Sequence, residues 1–123
     1  MLSFNKSVIE LKTVEYFQAF NAHDVTALRR MYTDDVVLDE FGKTIYEGKM
    51  AVLKANDDLF AQHPTVTIKV LETAANDYCT FNKIRVHLDP KTYVDVVDVI
   101  YFEQHGPRKI KHIQAYGGQG VVV

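Results

Sequence analysis

The sequence predicts an α+β domain in which helices come first and an antiparallel sheet follows. Up to Pro64, apolar residues recur mainly at the spacing of helical faces. Beyond Pro64 they alternate in four segments, which the turn sequences AND, DPK and HGP separate. This order is typical of the α+β class, and 123 residues with 47% hydrophobic content suit one core. We therefore predict a single domain over residues 1–118 and a short C-terminal tail over residues 119–123.

The first two helices are predicted to form a hairpin. One face of the N-terminal helix carries Ile9, Thr13, Tyr16 and Phe20. A second helix begins after Asp24, because this carboxylate can accept hydrogen bonds from the free N–H groups of the first turn. It is expected to end before a turn at Asp34 and Asp35.

A short strand pair is predicted between the second and third helices. Residues 36–41 alternate as a strand, and residues 44–47 return after a turn. Because side chains alternate between the two faces of a strand, Leu38 and Glu40 share one face and Asp39 lies on the other.

The third helix is bounded by the residues that flank it. It opens after Gly48 and stops before Pro64, since proline cannot continue a helix. Its apolar stripe includes Phe60 and is interrupted by the polar Asn56.

The segment YVDVVDVIYF, residues 93–102, is predicted to be a central strand covered on both faces. Asp98 shares one face with Val96 and Ile100, while Asp95 lies on the other. Both faces are otherwise apolar, as expected for a sheet that packs helices on one side and a second layer on the other. A second subunit would supply that layer, so we predict a homodimer. A pocket is expected between the helices and the inner face.

Composition and motif content argue against several partners and chemistries. Fourteen basic and sixteen acidic side chains give a formal charge of −2 with no basic block, which argues against nucleic acid and against a membrane surface. A single cysteine, Cys79, and the lack of a recognisable signal peptide or membrane span predict a cytoplasmic protein. The five histidines are not spaced as metal ligands, so no metal site is predicted. No phosphate loop or nucleophile elbow is present.

The chain resembles the ketosteroid isomerase branch of the nuclear transport factor 2-like superfamily, which also contains SnoaL-like polyketide cyclases and limonene epoxide hydrolase. The resemblance extends from about Val14 to Gly118. It is carried by EYFQAFNAHDVTALRRMYTDDVVLDEFG, by IYEG, and by DVVDVIYFEQHG with IQAYGG. It implies a cystatin-like cone, in which three N-terminal helices pack on a curved, mainly antiparallel sheet that encloses a hydrophobic pocket.

The resemblance also implies roles for three residues. Tyr16 matches the tyrosine that donates a hydrogen bond to the substrate's carbonyl oxygen, and Asp98 matches a second donor that must be protonated. Ketosteroid isomerase is the standard example of such a neutral carboxylic acid. Val96 and Ile100 flank Asp98 on its own face, so desolvation would disfavour its charged form. Glu40 would be the general base, and the reaction needs no cofactor.

The chain differs from the family at the residue that would act as the general base. The family usually has Asp-Pro before Phe-Gly, whereas this chain has Asp39-Glu40-Phe41, so either acid could align with the base. We favour Glu40 because it shares the face of Leu38, although its extra methylene displaces the carboxylate by about one carbon–carbon bond.

The predicted pocket would hold a small apolar carbonyl compound that is steroid-like or polyketide-like. The residues predicted to line it are Phe20, Tyr32, Leu38, Asp39, Asn56, Phe60, Val96, Ile100, Ile113, Ala115 and Gly117. On the next strand, the face of Ile84, Val86 and Leu88 is expected to point inward.

Two other functions remain open at this point. A SnoaL-like cyclase would use Asp98 with a histidine, His87 or His112. In a non-catalytic ligand-binding or dimerisation module, the same cavity would hold a molecule without converting it. Tyr16 would then be an ordinary core tyrosine, and Asp98 a buried carboxylate bonded to a neighbouring donor.

Overall fold

The computed structural model describes residues 4–40 and 43–122, and it contains three helices and six strands in the predicted order. The helices are α1 (Phe4–Asn21), α2 (Val25–Met31) and α3 (Lys49–Gln62). The strands are β1 (Tyr32–Glu40), β2 (Thr44–Glu47), β3 (Thr67–Ala75), β4 (Cys79–Asp89), β5 (Thr92–Phe102) and β6 (Ile110–Val122). Phe41, in the predicted first strand, lies outside the described residues.

Helices α2 and α3 lie within the bounds that the sequence predicts. The predicted stripe of α1 is buried, and the Ala27 backbone N–H donates to Asp24 Oδ1 at 3.0 Å to cap α2. Helix α3 follows Gly48, whose φ of 91° lies in the region that favours glycine, and ends ahead of Pro64.

The six strands form one sheet in the order β2-β1-β6-β5-β4-β3. Strands β3 to β6 form the predicted antiparallel meander, and β1 joins it by pairing in parallel with β6. The three helices pack on one face of this curved sheet, which is therefore an α+β cone. We call the helix-covered face the inner face and the other the outer face.

Two boundaries differ from the sequence prediction. Asp34 and Asp35 lie in β1 and not in a turn, because an irregularity in the pairing with β6 lets the strand start at Tyr32 while both acids stay exposed. The second is in the segment predicted as a tail, residues 119–123, where β6 continues to Val122 and pairs there with Thr92 of β5.

The core lies between α1, α3 and the inner face. Ile84, Ile100 and Ile113 come from three neighbouring strands and are almost fully buried. Among the described helices, none combines the length and apolarity needed to cross a bilayer. The cytoplasmic location stays a prediction.

Candidate active site

A cavity of about 440 Å³ opens between α1, α3 and the inner face of the sheet. This volume lies within the usual range for small-molecule sites. Its walls are mainly apolar, and three of its polar residues are Tyr16, Glu40 and Asp98. The three predicted functional residues therefore line one cavity.

Tyr16 enters the cavity from the buried stripe of α1. It is only 4% exposed, and its ring lies against Phe17, Phe20 and Tyr32, with centroids 5.2, 6.5 and 6.4 Å away. Burial raises the pKa of Tyr16 well above 10, and the nearby Tyr32 and Asp98 raise it further. Tyr16 is therefore a neutral hydroxyl at physiological pH and can donate a hydrogen bond.

A polar pair lies beneath Tyr16. The Tyr32 hydroxyl donates to Asn56 Oδ1 at 2.8 Å, and both residues are buried. Burial also raises the pKa of Tyr32 above its ordinary value. The Tyr32 ring packs against that of Tyr16, with centroids 6.4 Å apart.

Asp98 is a buried carboxyl group without a protein partner among the described residues. Its side chain faces the cavity, and only its backbone oxygen accepts a hydrogen bond, from Asn82 Nδ2 at 3.2 Å. Desolvation raises the pKa of Asp98 from 3.8 to about 7. Around and below neutral pH, Asp98 can therefore act as a proton or hydrogen-bond donor toward a ligand.

Glu40 is brought to the cavity by the pairing of three strands. It is in register with Ala115 of β6, and Ala115 is in register with Asp98 of β5. Glu40 and Asp98 are thus two strand spacings apart on the inner face, about 10 Å between Cα atoms. The small Ala115 side chain between them leaves room for a ligand.

Asp39 does not line the cavity. It is in register with Gln114, whose neighbour across β5 is Val99, so it belongs to the outer face. Of the two acids that the sequence left open as the base, the cavity contains Glu40.

The model of the SnoaL-like domain family matches residues 13–113 of the chain. The chain belongs to the SnoaL-like family. It is therefore a member of the nuclear transport factor 2-like superfamily, as the resemblance implied. No curated protein sequence matches it significantly.

Solved structures share the fold of this SnoaL-like protein. The epoxide hydrolase/cyclase-like enzyme SalBIII, described for pyran ring formation in the polyether salinomycin, has a TM-score of 0.82 and 22% identity over 99% of this chain and 100% of its own. A cystatin-fold protein from Novosphingobium aromaticivorans has a TM-score of 0.75 and 23% identity, covering 86% and 96%. A putative SnoaL-like polyketide cyclase from a Jannaschia species has a TM-score of 0.74 and 15% identity, covering 94% and 89%. At these identities the likeness establishes the fold alone.

Most of the other predicted pocket residues line the cavity of this SnoaL-like domain. These are Phe20, Leu38, Asn56, Val96, Ile113 and Ala115. Tyr32 and Ile100 lie behind this wall, fully buried in the core. Phe60 also lies outside the wall, because its ring packs against Phe20 and stacks on His23 at centroid distances of 5.1 and 4.1 Å.

Gly117 was predicted to line the pocket, but it lies outside the cavity. Its φ is 141°, and a Cβ there would come within 2.9 Å of the Asp95 backbone oxygen. The position coincides with an irregularity in the β5–β6 pairing. Glycine is therefore needed here for backbone approach and not for cavity shape.

Several lining residues were not among those predicted. On α3 they are Ala55, Asp58, Leu59 and Gln62, and on the sheet they are Tyr46, Ile68 and Val94. Helical spacing from Asn56 would have found Leu59, whereas Ala55, Asp58 and Gln62 lie at that spacing from one another and not from Asn56. The inward face expected for β4 is confirmed by its three lining residues.

No histidine lines the cavity in the described part of the chain. His87 and His112 lie on the outer face, where they contact Tyr93 and Tyr101, with ring centroids 5.9 and 5.7 Å apart. Asp98, which faces the cavity, therefore has neither of these histidines beside it. Within the described residues, no cluster of His, Cys, Asp and Glu could hold a metal ion.

Proposed function

We propose that this SnoaL-like protein is a cofactor-free isomerase that transfers a proton within a small apolar carbonyl compound. The observation that supports this most is the row formed by Glu40, Ala115 and Asp98, which puts a base and a neutral acid on the same cavity floor. Tyr16 adds a second neutral donor from the opposite layer. The apolar lining formed by β4 and β5 favours an apolar substrate.

In the proposed reaction, the substrate's carbonyl oxygen accepts hydrogen bonds from Tyr16 and Asp98. The Glu40 carboxylate removes a proton from the carbon next to the carbonyl, and the resulting negative charge moves to that oxygen. Donors aimed at a developing oxyanion in a dry site stabilise it more than water does. Glu40 then returns the proton to the far carbon of the conjugated system, so no oxidant or reductant is consumed.

The test is turnover of a β,γ-unsaturated cyclic ketone, followed by the ultraviolet absorbance of the conjugated product. Glu40→Gln should lower kcat by at least about 100-fold, since it removes the base. Tyr16→Phe should lower it by about 100- to 1,000-fold, since it removes an oxyanion donor. Asp39→Asn is the matched control and should retain the wild-type rate. Wild-type turnover equal to that in buffer would overturn the isomerase proposal.

A second candidate is a cyclase that opens an epoxide with an internal hydroxyl group. It is favoured by the presence of the Asp98 carboxyl, which burial keeps protonated up to about neutral pH, and the Glu40 carboxyl in a single cavity, and the related SalBIII is described as epoxide hydrolase/cyclase-like. Asp98 would protonate the epoxide oxygen as its C–O bond breaks. Glu40 would take the proton of the attacking hydroxyl as the new C–O bond forms.

One variant separates the two candidates. The amide in Asp98→Asn can still donate a hydrogen bond but cannot transfer a proton, so it should abolish cyclisation of an epoxy alcohol and only weaken isomerisation. If both substrate types bind, as measured by calorimetry, and neither is converted, the result favours a binding module without catalysis.

We also propose that the protein is a homodimer that pairs through the outer face of the sheet. Phe81, Val97 and Tyr116 lie there and are between 36% and 42% exposed. An adjoining cleft contains Thr33 Oγ1 and His112 Nε2, two buried side-chain atoms that have no hydrogen-bond partner among the described residues. Covering this face would remove apolar surface from water and could supply those partners.

A further inference from the structure

A second cleft, of about 290 Å³, lies between α1, α2 and the loop that joins β5 to β6. None of its lining residues lines the active-site cavity. Four of them are cationic, namely Lys12, Arg30, Arg108 and Lys109, and we call this the basic cleft. Glu15 is its one acidic lining residue.

The basic cleft carries a charge opposite to that of the whole chain. Four cations against one carboxylate leave a formal charge of +3, whereas the complete sequence carries −2. Within the described residues, neither these cations nor Glu15 belongs to an ion pair. Lys12, Arg108 and Lys109 are half-buried, so solvent screens them less than fully exposed cations.

Arg108 is held in position by the loop. Its φ is 49°, a left-handed conformation that a residue with a side chain rarely adopts. Its guanidinium Nε donates to Asn5 Oδ1 and its Nη1 donates to the Gly106 carbonyl, both at 2.9 Å. Because both acceptors are neutral, the arginine charge is oriented without being neutralised. Strained backbone held by its surroundings is more frequent at functional sites than elsewhere.

The ends of the loop are joined by reciprocal hydrogen bonds. The Glu103 backbone N–H donates to the Lys109 carbonyl, and the Lys109 backbone N–H donates to Glu103 Oε1, both at 2.9 Å. Phe102 and Ile110, at most 2% exposed, form an apolar floor below the cations. A low-dielectric wall behind like charges strengthens the field that they produce in the cleft.

We propose that the basic cleft binds the phosphate group of a phosphorylated small molecule. A phosphate carries more than one negative charge and offers several acceptor oxygens, which suits two guanidinium groups and two ammonium groups. The volume is at the lower end for ligand sites, so it fits an anionic group and not a whole large ligand. This inference does not depend on the reaction proposed for the active-site cavity.

The test is titration calorimetry with inorganic pyrophosphate at low ionic strength. Lys12→Gln and Lys109→Gln should each weaken binding by at least about fivefold, since each removes one cation and keeps the side chain polar. Glu15→Gln should tighten binding, because it removes the one carboxylate that lines the cleft. Added sodium chloride should weaken binding to the wild type.

Lys69→Gln is the matched control, because Lys69 is exposed on β3 outside the cleft and its loss changes the net charge equally. It should bind pyrophosphate like the wild type. Absence of saturable binding at millimolar pyrophosphate would overturn the proposal, as would equal weakening by Lys69→Gln. Malonate, a dicarboxylate, should bind more weakly, and equal binding of malonate would overturn the assignment to phosphate.

Discussion

Asp98 makes the stability of the protein depend on pH. Its pKa is about 7 in the folded protein and ordinarily 3.8, so the folded state holds the proton more tightly than the unfolded state. The contribution of the protonated carboxyl to the free energy of unfolding is fully present below about pH 4. It is lost progressively as the pH rises toward 7. It corresponds to about 4 kcal/mol at most.

Asp98→Asn should therefore raise the free energy of unfolding by up to about 4 kcal/mol at pH 8, and change it little at pH 4. Urea denaturation at the two pH values measures this. Asp95→Asn is the matched control on the same strand, because Asp95 is exposed and paired with Arg85 at 2.8 Å. It should show no gain in stability at pH 8. A gain from Asp98→Asn that is equal at both pH values would contradict the assignment.

The same group should control the pH dependence of turnover. In the proposed isomerase, Asp98 stabilises the oxyanion only when it is protonated, so kcat/KM should fall as pH rises through about 7. In Asp98→Asn the amide stays neutral, and this descending limb should disappear from a pH–rate profile measured with the unsaturated ketone. If the descending limb of the pH–rate profile persists in Asp98→Asn, the group that titrates near pH 7 is not Asp98.

At the scale of elements, a buried polar network joins α1 to three strands. Thr13 of α1 lies 2.9 Å from the Thr80 hydroxyl of β4, which accepts from Asn82 Nδ2 at 3.0 Å. Asn82 also accepts from Thr73 of β3 at 2.9 Å and donates to the Asp98 backbone oxygen of β5. The network thereby fixes the strand segment that carries Asp98.

Asn82→Ala should lower the free energy of unfolding by about 2–4 kcal/mol, because it removes a fully buried amide that bonds the buried Thr80 hydroxyl and the Asp98 backbone oxygen. Denaturant unfolding measures this loss. Lys83→Ala, the exposed neighbour, should change stability by less than about 0.5 kcal/mol. Equal effects of the two substitutions would show that the network contributes little.

At the scale of the whole molecule, a substitution on the outer face of the sheet tests the proposed dimer. Val97→Glu places a charge in the proposed interface, so analytical ultracentrifugation should show a shift from dimer to monomer. Leu11→Glu is the control, because Leu11 is 60% exposed on α1 and away from the sheet. It should leave the dimer intact. A wild-type protein that sediments as a monomer at micromolar concentration would contradict the proposal.

The basic cleft is a feature of the tertiary structure that cannot be recognised in the sequence. Its cations are contributed by α1, α2 and the loop after β5, so no basic block appears along the chain. Sequence reasoning from the overall charge of −2 therefore had no signal for an anion site. Three-dimensional packing alone brings these charges together.

The sequence by itself determined the local features. Alternation in β5 assigns Asp98 and Asp95 to opposite faces, and Asp24, Gly48 and Pro64 set helix boundaries through capping and proline geometry. These features depend on neighbours within a few residues, so they can be predicted from a short window. The family resemblance added Tyr16 as a cavity residue.

Only the tertiary structure decided how distant segments meet. The parallel pairing of β1 with β6 places Glu40, and not Asp39, on the face that lines the cavity. It also extends β1 through Asp34 and Asp35, where the sequence predicts a turn. The same pairing places β6 between Glu40 and Asp98, with Ala115 as the residue that separates them. Strand order and register come from burial of whole faces, which no single segment encodes. For this reason the sequence could name the acids of the site but not their arrangement.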